Sequence, residues 1–174
     1  MRSQQFFHAL FVLVLLTAGV FAQSGASDKE KNKERLIKVT QFLEQDPFDE
    51  NAKDFRAWAV KYVIETDDVS VTICGGPLIA PIMDKKYKYS SEMLTQYTIA
   101  MASFKLQNPD NKDENAAQLA GLESVVKAYR AILRTKPKTA TAGMDALSAD
   151  LDSGQLKKAV EAADCGSGKA APGK

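Results

Sequence analysis

After residue 27 the apolar positions recur every three or four residues, the spacing of one face of an α-helix. Ser27 and Glu30 form an S-x-x-E capping box that predicts a helix start, and Leu36, Val39 and Leu43 follow on one face. Asp46-Pro47 predicts its stop. Asp49, Glu50 and Asp54 suit the positive start of a second helix. Its stripe is Phe55, Trp58, Ala59, Tyr62 and Val63, and Asp67-Asp68 ends it. Ser90 or Ser91 caps a third, with Leu94, Tyr97, Met101 and Phe104 inward. Asn108-Pro109-Asp110-Asn111 is a turn. The longest helix is expected from Asp113 to Thr135. Its Leu119, Leu122, Val126, Tyr129 and Leu133 alternate spacings of three and four, a coiled-coil-like seam. Pro137 blocks continuation. Met144, Leu147 and Leu151 predict a fifth helix over 139–151. Ser153-Gly154 breaks it, and Leu156, Val160 and Ala163 mark a sixth.

Residues 69–89 break the rhythm. Val69, Val71 and Ile73 alternate with polar residues, but one short run without a partner strand makes no stable sheet. Gly75-Gly76-Pro77 and Pro81 are breakers. The expectation is a buried extended segment with a short helical turn from Leu78 to Met83. Either the stretch Ile73, Cys74, Gly75, Gly76 and Pro77 lines a groove, or it is a connector anchored by Cys74.

The fold class read from this pattern is all-α, about six helices in antiparallel pairs. Tyr129, Ile132 and Pro137, and again Val39, Phe42 and Pro47, share a spacing at which the chain resembles tetratricopeptide-type helical hairpins. The Trp-Leu-Gly-Tyr signature of that family's first helix is absent. The resemblance covers two hairpins and implies a helical-hairpin array or irregular bundle with a partner-binding surface. It transfers no functional residues.

The N-terminus changes the accounting. Arg2, the apolar run Ala9–Val20 and the small residues of Val20-Phe21-Ala22 read as a secretory signal peptide cut after Ala22. The uncharged stretch from Phe6 to Ala22 is 17 residues, at the short limit for a membrane span. The expected organisation is signal peptide 1–22, a single helical domain 23–165 and a disordered tail 166–174, in a periplasmic or secreted protein without a transmembrane segment after cleavage. Removing Arg2 from the 23 basic residues leaves 22, against 22 acidic. A neutral chain gives no reason to expect nucleic acid. Removing His8 leaves no histidine, which excludes Ser-His-Asp and Cys-His catalysis and most catalytic zinc sites.

Cys74 and Cys165 are the only cysteines, and export favours their pairing. A bridge closes a loop worth roughly 4–5 kcal/mol in chain entropy. The alternatives are a reactive Cys74 and two free thiols.

The remaining candidates each carry two readings. Lys127, Arg130, Arg134, Lys136 and Lys138 form either a basic patch for an acidic partner or charge complementing a helix C-terminus. Lys85, Lys86, Tyr87, Lys88 and Tyr89 interleave cations and aromatics, a single-strand nucleic-acid pattern or a solvated loop. Trp58 is a stacking platform or core. Asp110, Asn111, Asp113 and Glu114 resemble a calcium loop that lacks its glycine, Asn115 standing there. Asp67 and Asp68 are adjacent and so badly placed for paired acid–base work. No metal, cofactor or catalytic residue is expected. The leading expectation is an exported, non-enzymatic binding or scaffold protein of a bacterial envelope, holding another envelope protein or a peptide. The alternatives are a chaperone-like envelope stress protein and a small-ligand carrier or histidine-independent enzyme.

Overall fold

Prolines and short polar turns divide the chain into helices. The computed structural model describes residues 21–165, with side chains from Asp28 onward; most of the signal-peptide segment, His8 and the 166–174 tail lie outside the described residues. Seven α-helices run in the order α1 (Phe21–Gln45), α2 (Ala52–Glu65), α3 (Ala80–Met83), α4 (Ser90–Gln107), α5 (Glu114–Thr135), α6 (Ala142–Asp152) and α7 (Gln155–Ala163). Two 3-10 turns, Gly76–Leu78 and Pro137–Thr139, lie between them, and there is no strand among the described residues.

The boundaries have local causes. Pro47 and Pro109 lie just past α1 and α4, where the missing N–H and ring clash forbid continuation. Asp113 caps α5, accepting the Asn115 backbone N–H at 2.9 Å. Gly154, at φ 72°, is left-handed between α6 and α7, a conformation that favours glycine. Two expected caps are displaced. α1 is already helical from Phe21, so Ser27 sits inside it rather than at its start. Ser90 is the first residue of α4, and Tyr89 takes the cap position without a side-chain hydrogen bond.

The α4/α5 antiparallel pair is the centre. Gly121 of α5 lets the backbone approach Tyr97 and Met101 of α4. The polar side chains beside that close approach are bonded. Gln96 donates to the Thr40 carbonyl at 3.0 Å and to Ser124 Oγ at 2.8 Å. The Tyr97 hydroxyl donates to Gln118, whose amide donates to the Thr72 carbonyl at 2.6 Å. One apolar cluster joins α4 to α1 and α2 through Leu36, Val39, Leu43, Ala52, Ala59, Ile99, Ala102 and Leu106. The larger one joins α4 and α5 to α3, α6 and α7. α4 therefore buries residues all round its circumference.

Three hairpins are present, α1/α2, α4/α5 and α6/α7, but their junctions do not repeat. α1 packs on both α4 and α5, whereas α6 and α7 dock on α5. A solenoid stacks equivalent faces in series. This is an irregular helical array around a central pair.

The 69–79 connector departs from the expected buried extended segment in lying mostly at the surface. Ser70, Thr72, Ile73, Gly75, Gly76 and Pro77 are exposed, with Val69 and Val71 half-buried. Side chains hold it by its carbonyls: Lys105 Nζ donates to Ser70 at 2.8 Å, and Gln118 to Thr72. A connector needs no neighbouring strand when helix side chains satisfy its backbone. Lys85–Tyr89 is a turn entering α4, as its loop reading expects, but it is solvated only at its lysines. The lysines are exposed, but Tyr87 and Tyr89 are buried, against Tyr129 and Phe48 with ring centroids 6.0 and 4.6 Å apart. Those rings are core and unavailable for stacking bases.

Three phenols share this interior. Burial, then the neighbouring Tyr129, raises the pKa of Tyr87 and so opposes its ionisation. Burial likewise raises Tyr97, partly offset by the Cys74 backbone N–H. Tyr129 is pushed up to about 12 by burial and by its 2.5 Å bond to Asp145. A pKa raised on folding contributes stability that is complete below the unfolded value of about 10 and is lost as pH climbs through the folded value. An alkaline titration of tyrosinate absorbance should show these three phenols resisting ionisation above pH ~10 and ionising together with loss of helicity. Ionisation with unfolded-like midpoints in a helical protein would contradict their burial.

Candidate functional site

A groove lies on the α1/α2 hairpin. Lys31, Glu34, Arg35, Lys38, Val39 and Phe42 of α1 recur at i, i+3, i+4, i+7, i+8 and i+11, so they share one helix face. Phe55 of α2 and Asp49 and Asn51 of the connecting turn close the other side, around an open volume of about 700 Å³. The floor is apolar. Phe42 and Phe55 meet edge to face at 5.4 Å and 88°, the favoured aromatic geometry. Phe42 nonetheless stays 36% exposed, although core space under α1 is filled by its neighbour Leu43.

The walls are charged, and part of them is anchored. Asp49 accepts the Asn51 backbone N–H at 2.8 Å and its amide at 3.2 Å, forming the turn that sets α2 against α1. Lys29 and Asp68, 2.9 Å apart, close the far end of the hairpin. Arg35 lies over the Trp58 ring, its guanidinium carbon 4.0 Å from the centroid. Trp58 in turn stacks on Tyr62 at 5.6 Å with planes 2° apart. Trp58 is thus half-buried beside the groove, neither fully core nor an open platform.

A second, smaller cleft of about 480 Å³ runs between α2 and the start of α4, lined by Lys53, Arg56, Val60, Ser91, Glu92 and Thr95. Arg56 donates to the Pro47 carbonyl at 2.5 Å, and burial lowers its pKa while Glu92 opposes that shift.

The predicted basic patch is used mostly within the molecule. Lys127 pairs with Glu44 of α1 at 3.3 Å. Arg130 donates to Ser148 Oγ at 2.8 Å and to Asp152 at 2.7 Å, tying α5 to α6. Arg134 donates to the Gln45 carbonyl at 3.3 Å, and Lys136 lies 4.3 Å over Phe48. Lys138 is exposed in the 3-10 turn after α5. The row that reads as a surface stripe sits on the seams between helices.

Ile73, Gly75, Gly76 and Pro77 run over the surface and line neither cleft. Cys74 is buried and bonded to Cys165, Cα atoms 5.6 Å apart, pinning the end of α7 to this connector. Asp113 serves as a helix cap, and Asp68 as the partner of Lys29. Among the described residues no group of three or more His, Cys, Asp or Glu is placed to hold a metal ion. No helix among them is long and apolar enough to cross a membrane.

The groove had a signal in the sequence. Phe42 lies one residue, about 100°, round the helix from Leu43. It shares its face with Lys31, Arg35 and Lys38 rather than with Leu36 and Leu43. An aromatic among cations, off the core stripe, marks a half-exposed position.

Comparison of the chain with protein-family models, with curated proteins and with solved structures finds no match.

Proposed function

We propose that this is an exported, non-enzymatic helical scaffold of a bacterial envelope, periplasmic or secreted, that holds a segment of another protein or a peptide in the α1/α2 groove. The observation that carries this reading is the Phe42–Phe55 pair: two rings in contact, on an open floor, between walls of charged side chains. An apolar floor with a polar rim is the usual form of a peptide-binding groove. The Cys74–Cys165 bridge fits an oxidising compartment. The interior supports a binding rather than a catalytic role. Gln96, Ser124, Tyr97 and Gln118 bond one another or backbone carbonyls rather than facing a cleft.

The test compares wild-type protein with Phe42→Asp, each purified gently from the native host's envelope fraction and analysed by native mass spectrometry. Phe42 is exposed enough for both proteins to retain the same helicity. The expected result is one companion that stays on wild type and is lost from the variant. A companion held equally by both, or a wild-type chain that is always alone, would overturn the groove as the working surface. The same spectra read the mature N-terminus, expected at Gln23, and the two-hydrogen deficit of the bridge.

A further inference from the structure

Resting on that reading, we infer that the segment held in the groove is acidic: one apolar or aromatic anchor, with two or more carboxylates one to three helical turns away toward the α1 N-terminus. The groove is polarised along its length. Val39, Phe42 and Phe55 form one end, and Lys31, Arg35 and Lys38 line the α1 wall leading from it. From Lys31 to Phe42 the wall runs about 16 Å, which matches three turns of a bound helix or about five residues of an extended strand.

The charge facing the groove is positive. Three cations line it, against Glu34 and Asp49. Asp49 is engaged by Asn51 in the turn. Glu34 is 3.6 Å from Lys38, and the Lys31 partner Asp28 is 3.4 Å away; the two lysine side chains remain 76% and 72% exposed. Exposed pairs within one helix are weak and easily exchanged for another carboxylate. Arg35 lies over Trp58, 4.0 Å from the ring centroid, and its guanidinium is a fork of N–H donors suited to a carboxylate. A second copy is a poor occupant. Two α1 faces laid antiparallel about the middle of the Lys31–Phe42 row set Arg35 of each against Lys38 of the other.

The experiment pans a random dodecapeptide display library on the full disulfide-bonded chain, with Phe42→Asp protein as the counter-selection. The leading peptide is then synthesised, and its affinity is read from the emission of Trp58, the only tryptophan in the chain. The expected result is Phe42-dependent peptides that carry an apolar anchor and excess Asp and Glu. Binding should weaken at least tenfold in a Lys31→Glu, Lys38→Glu double variant of unchanged helicity, and weaken with added salt. Phe42-dependent peptides without acidic excess, or affinity unchanged in the double variant, overturn the acidic partner and leave the groove reading standing. Failure to enrich any Phe42-dependent peptide removes the groove reading, and this inference with it. Phe42-dependent self-association in sedimentation would make the occupant a second copy and overturn the inference.

Discussion

Replacing Cys74 and Cys165 together with serine lowers the unfolding free energy by roughly 4–5 kcal/mol, the largest single effect expected in this chain. The bridge spans a sequence separation of 91, so its loss restores a large loop entropy to the unfolded chain. For a domain of this size that is a fall in Tm of roughly 10–20 °C. The native state has its own reason to depend on the bond. α7 has nine residues and buries only Leu156 and Val160. An isolated helix so short is not stable in water. Hydrogen exchange in the double variant should therefore accelerate first over 155–165, then over the 69–79 connector to which Cys165 is tied. Guanidinium unfolding of the oxidised protein against the variant measures the global loss. Coincident midpoints would show that the bridge constrains neither state.

Enlarging Gly121 has the second largest effect. Glycine inside a helix ordinarily costs about 1 kcal/mol against alanine, so Gly121→Ala should stabilise if propensity decided the outcome. Here a Cβ would sit 2.6 Å from Tyr97 Cδ2 and 2.8 Å from Met101 Cγ. The Tyr97 ring is fully buried and its hydroxyl is bonded to Gln118, so it cannot swing aside without breaking that bond. The expected order of stability is Gly above Ala above Leu. Alanine should lose about 1–2 kcal/mol and leucine about 3 kcal/mol or more, the upper end of overpacking. Thermal melts of the three proteins decide it. A more stable Gly121→Ala protein would mean that α4 and α5 do not approach so closely.

Both effects were only partly legible in the chain. The two cysteines point to a bridge once export is inferred, because an oxidising compartment pairs them. Gly121 carries no such mark. A glycine in a helical run looks like a mild defect until the helix opposite is known. The same holds for Lys127, Arg130 and Arg134. Their spacing shows one helix face, but whether that face meets solvent or Glu44, Asp152 and the end of α1 depends on how separate helices cross. The Lys85–Tyr89 run misled in the other direction. Its lysines announce a surface loop, yet alternate side chains point inward, and Tyr87 and Tyr89 enter the core beside Tyr129.

What depends on neighbours along the chain was legible before any folding: the all-α class, the breaks at Pro47, Pro109, Pro137 and Gly154, the long α5 seam and the short turn before Met83. Periodicity, proline and glycine act within a few residues, so they can be read locally. Which faces became interior depended on how the helices pack. That packing set α4 between two apolar clusters and spent most of the basic row on interhelical contacts. It brought Phe42 and Phe55 together across a turn, leaving a groove where the sequence shows two separate aromatics. Burial is a property of pairs of surfaces, and the distance in sequence between the members of each pair is what hides it.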